Sequence, residues 1–234
     1  MTVPPSPPAS SGKAAAFRAS SRNRLTTYDL GRFTGPTLFD RIGRAVCAAG
    51  CLPRKELYES WEVARRTRRL FRGGRVVDVA GGHGLLAHMM LLLDGSSSTA
   101  VVVDRAIPPS AAKLHEGLVE AFPRLANRVS FVSGEFNEFE LLGTDVIVSV
   151  HACGALTDEI LDRAVAARAP VAVLPCCHNL NDETGRELAG WLDGPLAMDV
   201  ARAVRIKAYG YRVWTQTISE EITPKNRLLL ASPS

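Results

Sequence analysis

Two short segments gather the side chains best suited to chemistry: His151-Ala152-Cys153-Gly154-Ala155-Leu156-Thr157-Asp158 and Pro175-Cys176-Cys177-His178-Asn179. Several readings are open to His151, Cys153, Cys176, Cys177 and His178. Thiolates and imidazoles are zinc ligands, but the paired C-x-x-C spacing of structural zinc sites is absent, so no metal is expected. A cysteine beside a histidine is also a nucleophile able to add to C6 of a pyrimidine and activate C5. The reading preferred here is a pocket wall, in which His151 orients or deprotonates a hydroxyl or amine while the small cysteines pack beneath the reactants. A buried, purely structural role for the thiols is the remaining alternative.

A third segment, Val76-Val77-Asp78-Val79-Ala80-Gly81-Gly82-His83-Gly84-Leu85-Leu86-Ala87, reads as strand, tight turn and buried helix. Glycines there let the backbone pass close under a ligand, and the first N–H groups of the new helix suit a carboxylate, phosphate or ribose hydroxyl. Gly82-x-Gly84-x-x-Ala87, with Asp104 about 20 residues on, also fits the dinucleotide fingerprint, which makes NAD the competing cofactor. Asp78 argues the other way: an acid four residues before Gly82 is a poor neighbour for a pyrophosphate and a good one for a cationic ligand.

The elements that must position these segments follow in order. Leu38, Ile42 and Val46 predict a helix ending near Gly50, and Lys55 to Phe71 predicts a second before Gly73-Gly74. Leu57, Trp61, Ala64 and Phe71 share one side of that second helix, while Tyr58, Arg65, Arg69 and Arg72 share another. Six arginines lie between positions 65 and 75. They suit a phosphate backbone, making Arg65, Arg69 and Arg72 candidate substrate contacts; a solvated face balanced by Glu56, Glu59 and Glu62 is the alternative. Helices are expected over 109–122, 156–167, 183–193 and 198–208, and further strands over 128–132, 145–150, 171–174, 211–218 and 227–231. Continuous apolar strands alternating with helices indicate a parallel sheet covered on both faces, closed by an antiparallel pair. Ligands bind beyond the carboxyl ends of such strands, so the cysteine segments and the glycine turn should line one crevice.

The chain has 234 residues, enough for one substantial core, with 46% apolar and 22% charged residues. No apolar run approaches the roughly 20 residues needed to cross a bilayer. The formal charge of +4 lies wholly in residues 1–24, which hold Lys13, Arg18, Arg22 and Arg24 and no acid. Five cysteines without a secretory signal imply a reducing, cytoplasmic setting. Residues 1–24 read as a disordered tail, with an organellar transit peptide as the alternative. The expected division is that tail, a helical extension over 25–72 and a catalytic domain over 73–234.

The glycine turn resembles motif I of the Rossmann-like S-adenosylmethionine (SAM) methyltransferases, acid-x-Gly-x-Gly-x-Gly, with Asp78, Gly82 and Gly84 matching and Ala80 in place of the first glycine. The H-x-C-G-x-x-T-D and P-C-C-H segments resemble a methyltransferase-like family of bacteria and eukaryotes and are similar to tRNA acceptor-stem 2′-O-methyltransferases. The resemblance covers roughly residues 55–232 and departs from the tRNA enzymes in lacking their zinc-finger cysteines and a further His-Arg-Cys. It implies a doubly wound α/β fold with a seven-stranded, mainly parallel sheet, and SAM as cofactor. Cofactor contacts are implied from Asp78, Ala80, Gly81, Gly82, Gly84, Asp104 and Arg105, with Glu135 at the adenine amino group, Phe136 against its ring and His151 nearby. RNA is the expected acceptor; a small molecule, or an inactive SAM- or NAD-binding module, are the other readings.

Overall fold

The computed structural model describes residues 17–178 and 185–234. Its centre is β1 (Val76–Val79), a β-branched run buried on both sides. β1 pairs in parallel with β2 (Ala100–Asp104) and with β4 (Val146–Ser149). Outward on one side lies β3 (Val129–Ser133); on the other come β5 (Val171–Val173), β7 (Arg227–Pro233) and β6 (Tyr211–Thr217), giving the order β3-β2-β1-β4-β5-β7-β6. Only β7 runs against its neighbours. The direction of winding reverses between β1 and β4, which opens a crevice at their carboxyl ends.

Alternate residues of each strand enter two separate cores. Val76, Val102 and Val148 face α1 (Leu38–Ala49), α2 (Arg54–Leu70), α3 (Leu85–Leu93) and α4 (Ala111–Ala121). Val77, Val103 and Ile147 face α5 (Ala155–Ala167) and α6 (Gly194–Ala208). Burial on both faces is why the strands read as unbroken apolar runs. The two N-terminal helices share the first core with the sheet. The Thr37 hydroxyl caps α1 by accepting from Asp40 N–H, and Gly50 ends it in the left-handed conformation.

Two expectations need correction. The tail read over 1–24 falls partly outside the described residues, but residues 17–24, though half of them are exposed, are tied to the fold: Phe17 lies edge-on to Tyr58, and Arg24 forms a bridge with Pro53. Phe17 also carries on its ring the guanidiniums of Arg32 and Arg54, two cations of the helical region that follows, so this end of the tail is anchored to the fold by an aromatic residue. The helix expected over 183–193 is, within the described residues, a single 3-10 turn at Arg186–Leu188, and the α-helix begins at Gly194, where the Asp193 carboxylate accepts from Leu196 N–H.

Candidate active site

The glycine turn is built by long-range contacts. Ala80 adopts φ 54°, a left-handed conformation that costs an alanine about 1 kcal/mol, at the position where the motif has its first glycine. Gly84 is required: at φ 72° a Cβ would also stand 2.7 Å from Val102 and 3.0 Å from Phe131. Gly82 donates its N–H to Asp104 Oδ2 at 2.9 Å, and Ala106 N–H donates to Asp104 Oδ1 at 3.2 Å. The carboxylate at the end of β2 thus holds the turn as well as facing the crevice.

A cavity of about 390 Å³ occupies that crevice, lined by Ala80, Asp104, Arg105, Glu135, Phe136, His151 and Cys153 among others. Residues from the segments that follow four strands, β1 to β4, therefore meet where the expected cofactor site lies. Arg105 and Glu135 pair with each other at 2.8 Å, and Arg105 is 78% exposed, so both form the rim. Phe136 is buried, with the Arg163 guanidinium 4.5 Å above its ring. Burial pulls the His151 imidazole below its usual pKa, against the upward pull of Glu59 and Asp104, so it is neutral at pH 7.

Asp78 does not line this cavity. Its side chain points to the opposite face of the sheet, where Oδ2 accepts from Ala87 N–H at 3.0 Å in the first turn of α3. It is a helix cap delivered from a strand, and burial pushes it up to about 8. The expected direct contact with a cationic ligand is corrected accordingly.

His178 is likewise not turned toward the reactants. Its side chain is 2% exposed, and Nε2 lies 2.8 Å from Asp199 Oδ1. Cys153, Cys176 and Cys177 do come together: Sγ–Sγ separations are 2.6 Å for 153–176, 3.5 Å for 153–177 and 3.8 Å for 176–177. Burial first, and then the neighbouring thiols, push Cys176 far up; Cys153 is raised too, chiefly by burial. Free thiols so protonated are poor nucleophiles, which disfavours the covalent reading. Cys47 is buried, as expected for a packing thiol.

The arginine cluster is largely consumed by the fold. Arg65 and Arg66 pair with Glu62, and Arg66 also donates to Gln216. Arg68, 3% exposed, binds Asp94 and the Met90 carbonyl, while Arg75 makes a two-pronged pair with Asp145. Arg69 and Arg72 are exposed and have no hydrogen bond or ion pair among the described residues. This end of α2 leads into β1 and so lies at the amino end of the strands, opposite the crevice. Tyr58 packs inward against Phe39, with ring centroids 5.2 Å apart, and not along the basic face.

Sequence reasoning missed Glu59 and Asp199. Glu59 was read as part of a solvated face but is 2% exposed, paired with Lys55 at 3.0 Å, with Oε2 buried and unpaired among the described residues. The signal was available in its spacing: Glu59 lies four residues before Val63, on the buried side of α2.

A doubly wound seven-stranded sheet with a glycine turn, a β2 acid and a cavity at the switch point defines a Rossmann-like methyltransferase. The chain belongs to a family described as a methyltransferase domain, which matches residues 57–183. Solved structures with the same fold include an O-methyltransferase family protein from Burkholderia thailandensis (TM-score 0.50, 18% identity, covering 88% of this chain and 68% of that one). The tRNA methyltransferase TrmK of B. subtilis is another (TM-score 0.51, 14% identity, 74% and 66% covered). Among curated proteins, the glutathione S-transferase C-terminal domain-containing protein of Xenopus laevis is 29% identical over 99 residues, covering 38% of this chain and 16% of that one. The Homo sapiens protein of that name is 27% identical over 121 residues, covering 49% and 17%. The chain thus spans under a fifth of the length of these curated relatives. Among the described residues, no helix is long and apolar enough to cross a membrane.

Proposed function

We propose that the methyl donor is SAM, held in the cavity beyond β1 and β2, and that the acceptor is presented at its His151 end. The observation that carries this is the meeting of Ala80, Asp104, Glu135, Phe136 and His151 around one cavity. Those residues fit the group: a carboxylate for ribose hydroxyls, an acid and an aromatic ring for adenine, and a backbone turn free of side chains for the rest. SAM supplies a sulfonium methyl that is already activated and leaves behind a neutral thioether. The chain's work is therefore mainly to align the acceptor about 3 Å from that methyl, with neutral His151 taking the acceptor's proton.

A small-molecule acceptor fits the geometry better than RNA, because the arginines that suggested RNA are mostly paired and lie at the far end of the sheet. RNA remains the second reading, supported by exposed Arg69 and Arg72. Calorimetry against SAM, S-adenosylhomocysteine and NAD tests the donor; tighter binding of NAD than SAM overturns it. Transfer from labelled SAM into metabolite, RNA and protein extracts tests the acceptor.

A further inference from the structure

We infer that Cys153, Cys176 and Cys177 form a binding site for a thiophilic divalent cation, with Zn²⁺ as its ligand, at the rim of the cavity. Among the described residues these three sulfurs are the one group of potential ligand atoms gathered within 4.8 Å of one another. Three sulfurs on a tetrahedral zinc at about 2.3 Å would stand about 3.8 Å apart. Two of the three separations, 3.5 and 3.8 Å, already match that edge. The third, 2.6 Å, must widen by roughly 1 Å, within reach of a small χ1 rotation.

The loops that carry the thiols are held in place by other residues, as a preorganised site requires. Cys153 and Cys177 are paired by a parallel bridge, and Gly154 N–H donates to the Cys177 carbonyl at 3.2 Å. Behind them, buried Arg202 binds Asp158 at 2.6 Å and Asp199 at 3.4 Å, and its Nη2 also reaches the Gly154 carbonyl. Asp199 in turn holds His178, the residue after Cys177. One ion network thus ties both thiol loops to α6. His178 itself stays outside the group, so the protein supplies three ligands. Because Cys153 also lines the cavity, the fourth position faces solvent or a heteroatom of the acceptor. The three S–H protons pass to solvent as the metal binds, with no change of oxidation state.

The inference is independent of methyl transfer and is tested by metal binding. The reduced full chain, stripped of metal, is titrated with Co²⁺ and then Zn²⁺. One Co²⁺ per chain with thiolate-to-cobalt charge-transfer absorption in the near ultraviolet, displaced by Zn²⁺, is expected. In the same wild-type chain, Zn²⁺ should protect Cys153, Cys176 and Cys177 from alkylation while leaving Cys51 reactive. Cys153→Ser should weaken Zn²⁺ binding roughly 100-fold, and Cys51→Ser should not change it. Absence of the thiolate absorption, equal alkylation with and without Zn²⁺, or a Cys153–Cys176 disulfide whose reduction leaves no metal uptake, each overturns the site.

Discussion

Nε2 of His178 lies 2.8 Å from Oδ1 of Asp199, whose other oxygen accepts from Arg227 Nε at 2.6 Å. Burial alone would raise Asp199, but the bonds from His178 and Arg227 outweigh it and hold the carboxyl below its usual range. His178 is therefore a positioning residue for the loop that carries Cys176 and Cys177. Asp199→Ala removes the shared acceptor of His178, Arg202 and Arg227 and should destabilise the fold by about 3 kcal/mol, read as a lower urea midpoint with an unchanged slope. A midpoint equal to the wild type's contradicts the role given to this network.

Asp104→Ala should weaken SAM binding by one to two decades, because charge-assisted hydrogen bonds to ribose contribute roughly 1.5–3 kcal/mol. The loss has two sources, since Asp104 also holds Gly82 N–H. Asp104→Asn, which keeps an acceptor for that N–H, should recover part of the affinity. Calorimetry reads both variants, and unaltered affinity in Asp104→Ala would remove SAM from this end of β2.

His151→Ala should lower turnover roughly 10²–10⁴-fold with little change in SAM affinity, since the residue serves the acceptor. Its pKa is lowered by burial, so the basic form persists below the ordinary histidine range. Activity should therefore hold steady through neutral pH and fall only as the pH drops through that lowered value. A wild-type profile whose acid limb survives unchanged in His151→Gln would assign the proton to another group.

Among the described residues, Arg69 in α2 and Arg72 just beyond its end make no ion pair, whereas Arg65 is bound to Glu62. If RNA is bound there, neutralising Arg69 and Arg72 should flatten the dependence of log affinity on log salt by roughly 1–2 units, and Arg65→Gln should do less. A slope that does not move returns the whole helix to a structural role.

His88 is buried in α3, with Nδ1 2.6 Å from the Gly84 carbonyl and Nε2 2.9 Å from His115 Nδ1. Burial lowers its pKa to about 4. Unfolding lets it take up a proton at any pH between that value and its ordinary one near 6.5, so its contribution to stability is complete above about 6.5 and is lost as the pH falls toward 4. Up to about 3 kcal/mol is at stake. Urea melts at pH 7 and pH 4.5 should show a smaller acid loss in His88→Gln than in the wild type; equal losses would place the acid sensitivity elsewhere.

The strand and helix order was legible in the sequence because each element's apolar period is a local property. Val76–Val79, Ala100–Asp104 and Val146–Ser149 announce themselves as buried parallel strands, and Gly82, Gly84 and Asp104 mark the turn and the acid of a nucleotide-type site. Tertiary structure alone decided which way the side chains face and what they meet. Asp78 turned to the α3 side because side chains alternate across β1, and Arg68 and Arg75 found Asp94 and Asp145 across gaps in the chain that no helix periodicity encodes. The cysteines show the difference most clearly. Spacing rules see Cys153 as remote from Cys176 and Cys177, but β4 and β5 are parallel neighbours whose carboxyl ends lie side by side, so the loops that leave them bring three sulfurs into contact.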